Sequence, residues 1–70
     1  MKAKETSARV FQFVRQYRKI SQKQLAIKLN VNQSTISKIE KGLHFPSAMV
    51  LKRLEQYTNK SMSDLMTLSR

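Results

Sequence analysis

A short run of hydrogen-bonding side chains is the part of this sequence best suited to specific chemistry. Within residues 21–42, apolar residues recur at helical spacing and can face a core, which leaves a polar face outside. Gln can pair with adenine, Lys can bind guanine, and Ser can contact either base. The outer face is therefore a candidate for hydrogen bonding to base edges, and it carries Gln33, Ser34, Ser37 and Lys38.

The sequence offers few groups for catalysis or for metal binding. It holds four acidic residues, one His and no Cys. This inventory supplies no plausible pair of acid and base or of nucleophile and base. A metal site needs several ligands, and His44 has no second His or carboxylate cluster beside it. The sequence therefore predicts a protein that is not an enzyme and that has no metal and no cofactor.

The charge balance indicates a polyanionic partner. Fourteen Lys and Arg against four Asp and Glu give a net charge of +10. A polyanion would relieve the self-repulsion, and neutralised phosphates release counterions, so nucleic acid is the first candidate. A membrane surface is the second, and a basic protein without such a partner remains open. Arg18, Lys19 and Arg53 are interpreted as solvated charges that strengthen the positive field, and the alternative is that any one of them clamps a phosphate.

Membrane insertion and export are not indicated by the sequence. No apolar run reaches the about 20 residues that a membrane span needs. The charged N-terminus is not followed by the apolar stretch of a signal peptide. The cations are spread over several short segments rather than along one amphipathic face. The expected location is the cytoplasm, with association to the nucleoid through DNA binding.

Helical periodicity and a scarcity of helix breakers predict one all-α domain, residues 1–70. The only Gly and the only Pro, Gly42 and Pro46, mark the main loop. Five short helices are expected, over about 5–18, 21–30, 32–42, from 47 onward, and 61–68. The second and third are joined by a turn so short that they must cross steeply, which is helix-turn-helix geometry.

Local signals support the boundaries of these helices. Thr6 or Ser7 is expected to cap the first helix, which carries an apolar stripe ending at Tyr17. Asn30 tolerates the left-handed conformation that often ends a helix. The expected N-caps of the other helices are Ser21, with Gln24 as its capping-box partner, Asn32, Ser47 and Ser61.

Several short motifs occur in a characteristic order, and they are Ser21-Gln22, Leu25-Ala26, Gln33-Ser34-x-Ile36, Ile39-Glu40-x-Gly42 and Pro46-Ser47. In this order and spacing the chain resembles the Cro and phage-repressor class of helix-turn-helix regulators, also called the xenobiotic-response-element family. The resemblance covers about residues 11–65. It implies a lambda-repressor-like bundle whose recognition helix, about residues 32–40, lies in the major groove of DNA.

The resemblance also implies roles for individual residues. Gln22 matches a position that binds phosphate and braces the first base-reading residue. Arg15 and Glu40 match a charged pair that ties the first helix to the end of the third. Gln33, Ser34 and Lys38 match base-reading positions, which Ser37 on the same face extends. The expected contacts to the DNA backbone are Asn32 and Lys41, with Lys23 and the loop residue His44 as further candidates; for His44 an exposed loop residue without a contact is the alternative.

Some positions depart from the pattern of the family. Asn30 stands where the family usually has Gly, which its conformational latitude makes tolerable. Thr58 and Lys60 occupy positions that are commonly apolar, which leaves the packing of the last helix, and any dimer surface built there, open. Residues 1–5 are expected to form a flexible arm.

The favoured function is a small transcriptional regulator that binds double-stranded DNA. It is expected to act as a repressor, bound as a homodimer to a palindromic operator, because operator symmetry follows protein symmetry. The alternative is a protein-interaction module of the same fold, such as an antitoxin or an anti-repressor. Phe13, Leu43 and the last helix would then form the binding surface.

Overall fold

The computed structural model describes residues 3–70, and within that range the chain forms helices and no strand. The first helix packs against the third and the fifth, and the second packs against the third and the fourth. The prediction of an all-α bundle of five short helices is confirmed. The helices are α1 (Ala3–Arg18), α2 (Gln22–Leu29), α3 (Gln33–Glu40), α4 (Ala48–Thr58) and α5 (Met62–Leu68).

Helix α1 begins earlier than the sequence signals predict. Ala, Lys and Glu at positions 3–5 all favour helix, and Glu5 lies in the first turn, where the helix dipole stabilises negative charge. Thr6 and Ser7 therefore lie inside α1, and the prediction that one of them caps it is wrong. Residues 3–5 of the expected arm belong to the helix, and residues 1 and 2 lie outside the described part of the chain.

Serine caps begin three of the other helices, as predicted. Ser21 Oγ accepts a hydrogen bond from the Gln24 N–H, and the Gln24 side chain accepts one from the Ser21 N–H. Ser47 and Ser61 cap α4 and α5 by accepting from the N–H three residues further on. Each bond satisfies a donor that a helix start leaves open. Asn32 precedes α3, but its side chain makes no such bond.

Residues with a positive φ follow four of the helices. Lys19, Asn30 and Asn59 each have a φ of 57°, and Gly42 has a φ of 73°. Asn30 and Gly42 were predicted to end helices, and both predictions are confirmed. Lys19 was not predicted there. A residue with a long side chain bears a steric cost of about 1–2 kcal/mol in this conformation.

One apolar cluster joins all five helices. Only Leu65 of α5 belongs to its fully buried part, while Met66 and Leu68 on the same helix are exposed. The buried members are Val10, Phe11, Val14, Leu25, Ala26, Leu29, Ile36, Ile39, Val50, Leu54 and Leu65.

Tyr17 departs from the buried stripe that periodicity predicts for α1. Tyr17 lies in the last turn of the helix and is 68% exposed. Its ring stacks instead on Phe13, with the two ring centroids 5.9 Å apart. These rings form an aromatic surface at the edge of the core.

Candidate nucleic-acid interface

Helix α3 presents one face to the core and another to solvent. Its two isoleucines are buried, and Gln33, Ser34 and Lys38 are exposed, with Ser37 half-buried beside them. None of the side-chain hydrogen bonds within residues 3–70 involves Gln33, Ser34 or Lys38. The side chains predicted to contact bases therefore lie together on an open surface, with their hydrogen-bonding groups unused.

A buried carboxylate fixes the end of α3. Glu40 is 8% exposed, and Arg15 on α1 makes two hydrogen bonds to it. Arg15 Nε donates to Glu40 Oε2 at 2.6 Å, and Nη2 donates to Oε1 at 2.9 Å. The hydrogen bond to Glu40 raises the pKa of Arg15, which burial alone would lower. The structure thus joins the two residues of the implied charged pair in a bidentate geometry, which has a defined direction.

Two glutamines complete the contacts of Glu40. Gln22 Nε2 donates to Glu40 Oε1 at 3.2 Å, and Gln12 Nε2 donates to the Glu40 backbone carbonyl at 2.9 Å. Side chains of α1 and α2 therefore both hold the end of α3. The resemblance implied that Gln22 braces a base-reading residue and binds phosphate, whereas its amide here contacts Glu40. Gln12 was not predicted, although its position three residues before Arg15 on α1 places it on the same helical face.

The turn between α2 and α3 is tied to α4. The Val31 N–H donates to the Ala26 carbonyl at 3.0 Å, which closes the end of α2 around Asn30. Arg53 Nη1 on α4 donates to the carbonyls of Leu29 at 3.2 Å and Asn30 at 3.4 Å. These carbonyls lie at a helix end, where intrahelical partners are missing. The interpretation of Arg53 as a solvated charge is therefore wrong, and no local spacing in the sequence indicates this contact.

The candidates for contact with the DNA backbone lie near the ends of α2 and α3. Lys23 lies in the first turn of α2, Asn32 precedes α3, Lys41 follows it, and His44 lies in the next loop. All four are exposed. The Asn32 side chain makes no capping hydrogen bond to α3. The NH₂ group of its amide and the N–H groups at the start of α3 are therefore available to an anion. The roles of these residues stay predictions.

The exposed face of α3 carries groups suited to recognition of DNA. Hydrogen-bonding side chains lie along the helix, and the cations Lys38 and Lys41 lie at its C-terminal end. Such a surface can contact both base edges and phosphates. Residues 3–70 hold no group of three or more side chains placed to ligate a metal ion. No helix in this part of the chain has the length and apolar character required to cross a membrane.

Comparison with known proteins gave one match. A family model described as helix-turn-helix matches residues 14–65, which include all of α2, α3 and α4. Comparisons with curated proteins and with solved structures gave no match.

Proposed function

The chain belongs to the helix-turn-helix family of the Cro and repressor type, whose members bind DNA, and we propose that it is a repressor which binds a palindromic operator as a dimer. The observation that carries this proposal is that one end of α3 is fixed to the protein while its outer face is open. Arg15 and Gln22 hold Glu40 through hydrogen bonds. Gln33, Ser34 and Lys38 are exposed, and their side chains make no hydrogen bond within residues 3–70. Because α3 is fixed in this way, it can present these side chains to DNA in one constant orientation.

Base reading is assigned to the exposed face of α3. Gln33 lies at the start of the helix, where a side chain can reach furthest into the major groove, and Gln pairs well with adenine. Ser34 and Ser37 supply shorter hydrogen-bonding groups to either base, and Lys38 supplies a cation for guanine or for phosphate.

Backbone contacts are assigned to the ends of the two short helices. Lys23, Asn32, Lys41 and His44 would hold the phosphates on either side of α3, and Gln22 would do so after exchanging its contact with Glu40 for one with DNA. The net charge of +10 supports a large electrostatic share in this binding. Binding is therefore expected to weaken steeply as salt is added.

A dimer would supply the selectivity that one recognition helix lacks. One such helix reads only a few base pairs, and a second half-site about one DNA turn away adds the remainder. The loop after α3 exposes Leu43 and Phe45, and Met49 is exposed at the start of α4. An apolar surface beside the reading helix is suited to contact between two copies on one operator.

Binding-site selection from random duplex DNA tests this proposal. The full chain, Gln33→Ala and the control Gln56→Ala would be compared, because Gln56 is an exposed Gln on α4 away from the candidate interface. We expect a palindromic site from the unaltered chain and from the control. In Gln33→Ala, preference at one base position in each half-site should fall by about 1–3 kcal/mol, while the rest of the site is kept.

Two outcomes would contradict the proposal in different ways. Recovery of no preferred sequence, with equal salt-sensitive binding by all three proteins, would eliminate specific base reading. A site without internal symmetry, bound by one copy in a sedimentation experiment, would eliminate the dimer but keep the reading helix.

A further inference from the structure

An apolar groove lies between α1 and the junction of α4 with α5, outside the proposed DNA interface. Val14 and Leu65, each 1% exposed, form its floor. The stacked rings of Phe13 and Tyr17 form one wall, and Leu68 on α5 forms the other. The volume of the groove is about 190 Å³. Since an apolar cavity of about 150 Å³ can bind benzene, the groove has room for one bulky apolar side chain.

Polar residues at the α4–α5 junction keep the groove open. Thr58 Oγ1 donates to the carbonyls of Leu54 at 2.9 Å and Glu55 at 3.3 Å, so its hydroxyl is committed to the end of α4. Lys60 is exposed at the rim. These are the two positions where the family pattern commonly has apolar side chains. Helix α5 still packs against the core through Leu65. The groove lies beside this contact, where Thr58 and Lys60 do not fill the space.

The rim of this α1–α5 groove is cationic. Arg18 lies over the ring of Tyr57, with its guanidinium carbon 5.0 Å from the ring centroid, and Nη2 donates to the Tyr57 carbonyl at 3.5 Å. Lys60 lies on the rim as well, and no acidic side chain lines the groove. Outside the groove, Glu55 and Asp64 line a neighbouring depression together with Lys60, and the Glu55 carboxylate accepts from the Met62 N–H at 2.7 Å. The positive rim is therefore not neutralised from within the groove.

We propose that the α1–α5 groove docks an acidic segment of a partner protein. One bulky apolar side chain of the segment would cover the floor formed by Val14 and Leu65, and flanking carboxylates would contact Arg18 and Lys60. Short segments commonly bind grooves in this way, through an apolar anchor and polar flanks. Such a segment would cover the apolar floor and pair with the cationic rim at the same time.

A phosphate backbone or a second copy of the chain would complement only part of the groove. A phosphate backbone would neutralise the rim, but it offers no apolar group to the floor. A second copy in a symmetric arrangement would bring the same cationic rims together, and the net charge of +10 would add to the repulsion. No residue of α2 or α3 lines the groove, so the segment can bind while α3 contacts DNA.

The proposal is tested by titrating the isotope-labelled full chain with synthetic peptides and following amide resonances by NMR. Each peptide carries one central Phe or Leu between pairs of Glu. We expect saturable shifts that cluster at Phe13, Tyr17, Thr58 and Leu68. Peptides with Gln in place of Glu, or with Ala at the centre, should bind at least about tenfold more weakly.

Three variants locate the binding site. Thr58→Leu fills the groove with the apolar type that the family commonly has, so it should fold and should lose at least about tenfold in peptide affinity. Lys60→Glu should lose about fivefold or more. Lys4→Glu makes the same charge change at an exposed position in the first turn of α1, nine residues or roughly 13 Å along the helix before Phe13, and it should have little effect at physiological salt. The amide spectrum of each variant verifies its fold.

Several results would overturn the proposal. Shifts spread over all cationic surfaces, or equal losses in Lys60→Glu and Lys4→Glu, would indicate general charge attraction. Failure of every peptide to bind would remove the acidic segment as occupant. Concentration-dependent shifts of the same amides without peptide, abolished by Thr58→Leu, would assign the groove to a second copy.

Discussion

Helices α3 and α5 have nearly the same length, eight and seven residues, yet they are held in different ways. The buried Glu40 of α3 receives hydrogen bonds from both α1 and α2. In α5 the only fully buried apolar side chain is Leu65, and Glu55 accepts from the Met62 N–H at the start of the helix. Charged hydrogen bonds have direction, whereas apolar burial has little. The helix that we propose to read DNA is therefore held by directional side-chain contacts from two other helices, whereas α5 has one such contact, from Glu55 on α4.

The largest expected effect is on the one fully buried apolar side chain of α5. Leu65→Ala should lower the free energy of unfolding by about 3 kcal/mol, because removal of a buried Leu side chain loses its burial and leaves a cavity. Urea unfolding measures the loss, and native-state hydrogen exchange shows where it falls. We expect the amides of α5 to lose protection before those of α3.

The neighbouring Met66 provides the control for that experiment. Met66 is exposed, so Met66→Ala should change the free energy of unfolding by less than about 0.5 kcal/mol. Loss of protection at α3 and α5 together in Leu65→Ala would contradict the separate anchoring of the two helices.

A smaller loss of stability is expected when the directional anchor of α3 is cut. Arg15→Met leaves the buried Glu40 carboxylate with Gln22 as its remaining side-chain partner. Loss of one partner of a fully buried pair costs about 3–5 kcal/mol. Because the Arg15 side chain is 24% exposed, we expect about 2 kcal/mol, measured by urea unfolding.

A double variant separates stability from orientation in that experiment. Arg15→Met combined with Glu40→Met removes the unpaired charge and should recover most of the stability. Affinity for the selected DNA site should stay low, because only the hydrogen bond from Gln12 to the backbone carbonyl of residue 40 still fixes the end of α3. Recovery of both stability and affinity would mean that the ion pair has no role in orienting the helix.

The smallest expected effect is at the left-handed residue that follows α1. Lys19→Gly should raise the free energy of unfolding by about 0.5 kcal/mol, because relief of the strained φ exceeds the added freedom of the unfolded chain. Lys28→Gly is the matched control inside α2, and it should lower stability by about 1 kcal/mol. Thermal unfolding measures both, and changes of the same sign would refute the assignment of strain to Lys19.

The parts of the fold that could be predicted from sequence are those with local signals. The serine caps, the left-handed Asn30 and the break at Gly42 each depend on a few consecutive residues, and all lie as predicted. The contact between α2 and α3 follows from the short turn between them. The Arg15–Glu40 pair was available only from resemblance, because its members are 25 residues apart.

The parts that were missed depend on contacts between distant segments. Arg53 has the sequence context of a solvated cation, and only the folded chain brings the end of α2 to it. Tyr17 fits the helical stripe of α1, yet it is exposed in the folded chain. The contact of Gln22 with Glu40, 18 residues further along the chain, likewise has no local signal.

The open face of α3 also bears on how such a protein diversifies. Since Gln33, Ser34 and Lys38 make no side-chain hydrogen bonds within residues 3–70, changes at these positions should cost little in folding. If α3 reads bases as we propose, one copy could acquire a different operator after gene duplication through a few substitutions on this face, while the buried residues that hold the helix remain the same. Target choice and scaffold are thereby free to evolve at different rates.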